Sequence, residues 1–202
     1  MITDTHVNEQ ENSSASPYPA NAEANPRARF VFNAIRQSDA AFCVHLGDMI
    51  NPVPELPSYA TAASNFAEIS ADLGMPLYLV PGNHDIGDKP VDWMPAGMVD
   101  ATNIAIYEKH FGRHFYSFDH ASVHFIVVNS SLINSGDPAE ETQRKWLEAD
   151  FEAHADSRTF IFIHYPIFVS QPDEAGSYDN IDEPGRSWLL NLLAQYVARQ
   201  SG

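Results

Sequence analysis

The 202-residue sequence has a single cysteine, Cys43. No intrachain disulfide can form, and no thiolate metal cluster can be assembled. Its setting, Ala40-Ala41-Phe42-Cys43-Val44, predicts an inert, buried thiol. Basic residues are also scarce: 11 Lys and Arg stand against 27 Asp and Glu, a formal charge of -16. Such a chain repels nucleic-acid phosphates and anionic headgroups alike, which argues against a nucleic-acid scaffold role. No apolar run approaches the roughly 20 residues that span a bilayer, so no membrane partner is expected. No basic segment precedes an apolar one near Met1, and no signal peptide is read there. The compartment, cytoplasmic or exported, stays open.

Apolar residues make up 44% of the chain, with Trp, Tyr and Phe well represented, and the length suits one soluble globular domain over residues 1–202. The acidic balance is awkward for binding a phosphate unless bound cations reverse the local field.

Ile2 to His6 reads as the end of a strand entering a loop, and residues 8–26, rich in Asn, Ser, Ala and Pro, read as a long loop. Helical spacing begins at Arg27 and runs to Gln37. The apolar run Ala41 to Leu46 predicts a buried strand closed by Gly47-Asp48, and Pro76 to Val80 a second, closed by Pro81-Gly82-Asn83-His84-Asp85. Between them Ser58 is placed to cap a helix through about Leu73, with Gly74 ending it. Further on are a helix over Ile104 to Phe111, an antiparallel hairpin of Phe115 to Phe118 and Val123 to Asn129 turning at Asp119-His120, and a helix over Glu140 to His154. A strand over Thr159 to Ile163 and a helix over Pro184 to Arg199 complete the pattern. Alternating strands and helices predict an α/β fold, sheets flanked by helices.

Metal-ligand side chains fall at the carboxyl ends of these strands: Asp4 and His6, then Asp48, then Asn83 and His84, then His164. In open α/β sheets that edge is where sites form. Carboxylate, imidazole and amide oxygen without sulfur suit manganese, iron, zinc or magnesium. Asp4 and His6 are two apart, which on an extended chain aims both side chains the same way. Asp48 has two oxygens and can bridge a pair of ions, while Gly47 lets the backbone come close. Asp85 is placed to hold the ring of His84, leaving His84 for acid chemistry.

Asp4-Thr5-His6, Gly47-Asp48-Met49-Ile50-Asn51, Gly82-Asn83-His84-Asp85 and His164 occur in the order of the calcineurin-like metallophosphoesterases, which the chain resembles over nearly its whole length. The resemblance implies a four-layer α-β-β-α sandwich of two packed mixed sheets flanked by helices. It implies two metal ions (Mn, Fe or Zn), one on Asp4, His6 and Asp48, the other on Asp48, Asn83 and His164. The implied activity is hydrolysis of phosphate mono- or diesters by a hydroxide held between the metals, with His84 assisting the leaving oxygen. The segment from Tyr107 through Trp146-Leu147 is similar to the branch that includes phosphoprotein phosphatases of the calcineurin-like domain-containing kind. Asn51 stands where the purple acid phosphatase branch has a ligand tyrosine.

One departure is plain: no Gly-His-x-His block, which in the family supplies two further ligand histidines, follows His164. The expectation is a domain incomplete at both ends. The alternative function is a binding or structural domain of the same fold with impaired catalysis. His45 reads as structural, and His110, His114, His120, His124 and His154 as surface or packing residues without ligand spacing. Asn51 is a candidate support for the site and Arg186 a candidate contact for substrate phosphate.

Overall fold

The computed structural model describes residues 1–14, 16–90 and 96–200. Its helices are α1 (Ala24–Arg36), α2 (Tyr59–Ser70), α3 (Asn83–Ile86), α4 (Ala101–Phe111), α5 (Pro138–Ala153) and α6 (Gly185–Gln200); its strands are β1 (Cys43–His45), β2 (Leu77–Leu79), β3 (Tyr116–His120), β4 (Val123–Val127) and β5 (Arg158–Phe162). Strands β1 and β2 pair in parallel, and β3-β4-β5 form a mixed sheet with β3 antiparallel and β5 parallel to β4. The result is a mixed α/β fold with two sheets and helices. No helix among the described residues is long and apolar enough to cross a membrane.

Period-two alternation sorts the strand side chains. In β1, Cys43 packs with Phe32, Ala62, Phe66 and Tyr107 of α1, α2 and α4, while Val44 turns the other way toward Val80 and Val127. In β4, Ile126 faces Leu147, Phe151 and Leu189 of α5 and α6, while Val127 faces Val44. The sheets therefore meet across a thin apolar contact. Aromatic rings widen it: Phe42 lies edge-on to Phe118 and Phe125 at 5.5 and 5.2 Å, and Tyr78 stacks on Phe118.

Most expected elements are present, with shifted ends. The loop read at residues 8–26 holds a short 3-10 helix, Pro19–Glu23, and the first turn of α1. Ser58 makes no side-chain cap, and α2 ends at Ser70, whose hydroxyl donates back to the Phe66 carbonyl. Asp100 and Asp137 are the caps the sequence reading passed over, accepting from the backbone N–H of Asn103 and Ala139. Strand β3 runs through His120, so the hairpin turns after it rather than at Asp119-His120. Asn83–Ile86, read as loop, is one helical turn.

Candidate metal centre

The first ligand segment is held by a backbone ladder against the chain after β1. The amides of Asp4, His6 and Val7 donate to the carbonyls of Gly47, Asp48 and Met49, and Asn51 N–H returns a bond to Val7 O. The segment is not extended as expected: Asp4, His6 and Asp48 have φ of 53, 43 and 54°. Such left-handed residues cost free energy and persist where the surroundings over-determine them. Gly47, at φ 103°, packs so tightly that a Cβ would lie 2.6 Å from His164 Nδ1. A Cβ at Gly82 would collide with the Asp48 amide and carboxylate. Both glycines are required by close approach.

Asp48 is buried at the middle of the cluster. Its Oδ2 lies 3.7 Å from His6 Nε2, which is also 3.7 Å from Asp4 Oδ1. Its Oδ1 lies 3.6 Å from His164 Nε2, which is 3.2 Å from Asn83 Oδ1. The two carboxylate oxygens thus face two different donor groups, Asp4 with His6 on one side and Asn83 with His164 on the other. His164 Nδ1 is held by the Leu46 carbonyl at 2.8 Å, which leaves Nε2 as the lone-pair nitrogen toward Asp48. The Asn83 amide donates through Nδ2 to Tyr178 Oη at 3.0 Å, so its oxygen is turned to the centre.

His84 joins from the start of α3. Its backbone N–H donates to Asp48 Oδ1 at 3.0 Å, and its Nδ1 bonds the Asn51 carbonyl at 2.5 Å. Its ring meets that of His6 edge-on at 4.8 Å, and the ligand atoms of His6, Asp48 and His84 lie within 4.8 Å of one another. Asp85 does not hold the His84 ring. It is fully buried, and its carboxylate takes the backbone N–H of Met49, Ile50 and Gly82, joining the two ligand loops. The His84 ring nitrogen Nδ1 turns to the Asn51 carbonyl instead. Asn51, the candidate support, meets His84 through its backbone oxygen. Arg186 does not reach the site: buried at the start of α6, it bonds the Glu174 carbonyl and the Glu183 carboxylate.

The field at the centre is strongly negative. Burial alone would raise the Asp4 carboxyl, but bonds from His6 and Thr3 and the nearby His164 bring it down to about 2. Burial works against charging His6, yet Asp4, Asp48 and Asp85 around it hold its pKa above the ordinary value. Among the described residues, His6 Nδ1 is buried with no hydrogen-bond partner. Clustered acidic oxygens and oriented imidazoles fit a bound metal cation, which would relieve the charge excess.

A buried network lies behind Asn83 that the sequence reading missed. Asp88 accepts from Tyr165 Oη at 2.6 Å, and Lys89, 3% exposed, spans to the Asn180 carbonyl at 2.7 Å and the Asp182 carboxylate at 2.9 Å, pinning the loop that carries Tyr178. No motif marks these residues, because they are joined only by the fold. His45 is structural as expected, bonded to Thr5 Oγ1 at 2.9 Å and pushed down to about 3 by burial. Cys43 is buried, with its thiol pushed up by desolvation.

Two sheets with a metal-type cluster at their carboxyl edge define a metallophosphatase-like fold, and the comparisons agree. The family model for calcineurin-like phosphoesterases matches residues 1–197, and the chain belongs to that family. It is 26% identical over 162 residues to serine/threonine-protein phosphatase CPPED1 of Mus musculus, covering 76% of this chain and 49% of that protein. With the Homo sapiens protein of the same name it is 27% identical over 146 residues, covering 68% and 43%. The chain spans about half the length of the curated relatives it matches. Among solved structures, a dimetal phosphatase from Danio rerio superimposes with TM-score 0.65 at 14% identity, covering 96% of this chain and 76% of that one. A purple acid phosphatase from yellow lupin (Lupinus luteus) seeds gives TM-score 0.62 at 18% identity, covering 97% and 35%.

Proposed function

We propose that the chain is a metal-dependent phosphoesterase that hydrolyses phosphate mono- or diesters, with Asp4, His6 and Asp48 holding one metal ion and Asp48, Asn83 and His164 the other. The observation that carries this is the division of the Asp48 oxygens between His6 and His164. Residues 1–202 are read as one domain, its two sheets packed face to face with helices outside, the four-layer arrangement of the family.

Two metal ions held by Asp4, His6, Asp48, Asn83 and His164 would supply Lewis acidity, making a water more acidic and offsetting phosphoryl charge. The protein's own part is positioning. Asp85 joins the Asp48 and Asn83 loops, Tyr178 fixes the Asn83 amide, and Leu46 fixes His164. As the water oxygen adds to phosphorus and the ester P–O bond breaks, His84 in its charged form gives the leaving oxygen a proton from Nε2, with Nδ1–H held on Asn51 O. Asp85, expected as a catalytic partner of His84, is read instead as a positioning residue. Phosphoserine and phosphothreonine in proteins are the favoured substrates, on the strength of the relatives named serine/threonine-protein phosphatase.

The second reading is a binding or structural domain of the same fold with impaired catalysis. The two are separated by hydrolysis of a phosphate ester in the presence of manganese, with and without chelator. Turnover that is chelator-sensitive and lost in Asp48→Asn and Asn83→Ala supports the enzyme; unchanged rates in both variants would sink it.

A further inference from the structure

We propose that Asp119, His124 and His154 form a second, peripheral metal site suited to a zinc-class transition-metal ion. Their ligand atoms lie within 4.8 Å of one another. Asp119 and His124 are cross-strand partners of β3 and β4, and His154 closes α5. His124 pairs with Thr159 near the start of β5, whereas His164 follows the end of that strand, so this cluster sits at the opposite edge of the sheet from the Asp48 centre.

Two imidazoles and one carboxylate, completed by water, suit zinc-class ions and offer too few oxygens for calcium or magnesium. What distinguishes the cluster from a chance grouping is that a largely buried carboxylate, Asp150, orients its buried ring, His124. The Asp150 carboxylate takes His124 Nε2 at 2.8 Å, and the Asp150 carbonyl takes His154 Nδ1 at 2.8 Å. Ser117 Oγ donates to the other carboxylate oxygen at 2.8 Å. Carboxylate and carbonyl partners of this kind fix the tautomer of a ligating histidine and raise its basicity. With those nitrogens carrying the protons, His124 Nδ1 and His154 Nε2 are the atoms left to bind an ion.

As arranged, a proton joins His124 Nδ1 to Asp119 Oδ1 at 2.7 Å, and the two imidazoles stack with centroids 3.6 Å apart. The ion replaces that proton, which leaves to solvent while the nitrogen lone pair and the carboxylate oxygen turn to the metal. Stacked rings cannot both aim in plane at one ion, so His154 gives up its bond to the Asp150 carbonyl and rotates out of the stack, while His124 keeps its bond to the Asp150 carboxylate. Side-chain exposures of 31% for His154 and 67% for Asp119 leave room for this.

The test is a zinc count on the full chain by competition with a chromophoric chelator near neutral pH, in wild type, Asp119→Asn and His154→Gln. One ion fewer in each variant, with hydrolytic activity unchanged and the extra ion retained in Asp48→Asn, is the expected result. The difference should shrink on acidification, because protons compete with the ion for ligand nitrogens. Equal zinc counts in wild type and in Asp119→Asn, with the folded state of the variant checked by circular dichroism, would overturn the proposal whatever the fate of the Asp48 centre.

Discussion

The Asn83 amide hydrogen-bonds the Tyr178 hydroxyl at 3.0 Å, across 95 residues of sequence. That bond, with a longer one from the same nitrogen to Asp88 Oδ2 at 3.5 Å, turns the amide oxygen toward His164. Without the Tyr178 bond only the longer bond to Asp88 opposes a flip of the amide, and the flipped amide would present a nitrogen donor, which cannot bind a cation. Tyr178→Phe should therefore weaken metal binding roughly 10-fold or more while the fold survives. The check is the metal concentration that half-saturates activity, together with direct metal titration; unchanged values for both would contradict the role.

Gly82 has no room for a methyl group beside Asp48. Gly82→Ala should push the Asp48 loop aside and abolish metal-dependent turnover, whereas Gly112→Ala, where nothing lies within 4 Å, should affect stability alone. Equal activities in the two variants would argue against the tight approach of the two loops.

How far the sequence reached is clearest at these loops. The apolar runs before Gly47 and Gly82 and the ligand types after them were legible, because strand burial and metal chemistry both restrict residue choice locally. The partner of Asp85 was not. Spacing places it beside His84, but three backbone N–H groups from two loops claim its carboxylate. Tyr178, Asp88 and Lys89 were invisible for the same reason: their meaning lies in contacts between distant segments. The ligand-like grouping of Asp119, His124 and His154 was hidden because strand pairing and the end of α5, not spacing, bring them together.

His124 gives a pH signature of its own. Burial lowers its pKa, but bonds to Asp119 and Asp150 and their charges outweigh this and raise it above the usual 6.5. A raised folded pKa means stabilisation that is complete below the unfolded value and is lost as pH rises through the folded one. With a chelator present to exclude metal, His124→Gln should lose more stability in urea near pH 5.5 than near pH 9. An equal loss at both would remove the charged clamp from the account.

Leu147 is fully buried on α5 among Ile126, Phe151 and Leu189. Leu147→Ala should cost about 2–5 kcal/mol by denaturant titration, with the metal requirement for activity unchanged in the remaining folded protein. A loss below about 1 kcal/mol would mean that this layer is poorly packed.

The paired centre is tested most directly by elemental analysis of manganese bound to the Asp119→Asn chain, in which the peripheral cluster cannot add to the count. Two ions per chain after equilibration, falling in Asp48→Asn, is the result predicted by an Asp48 carboxylate shared between His6 and His164. One ion or none in the unaltered centre would contradict it.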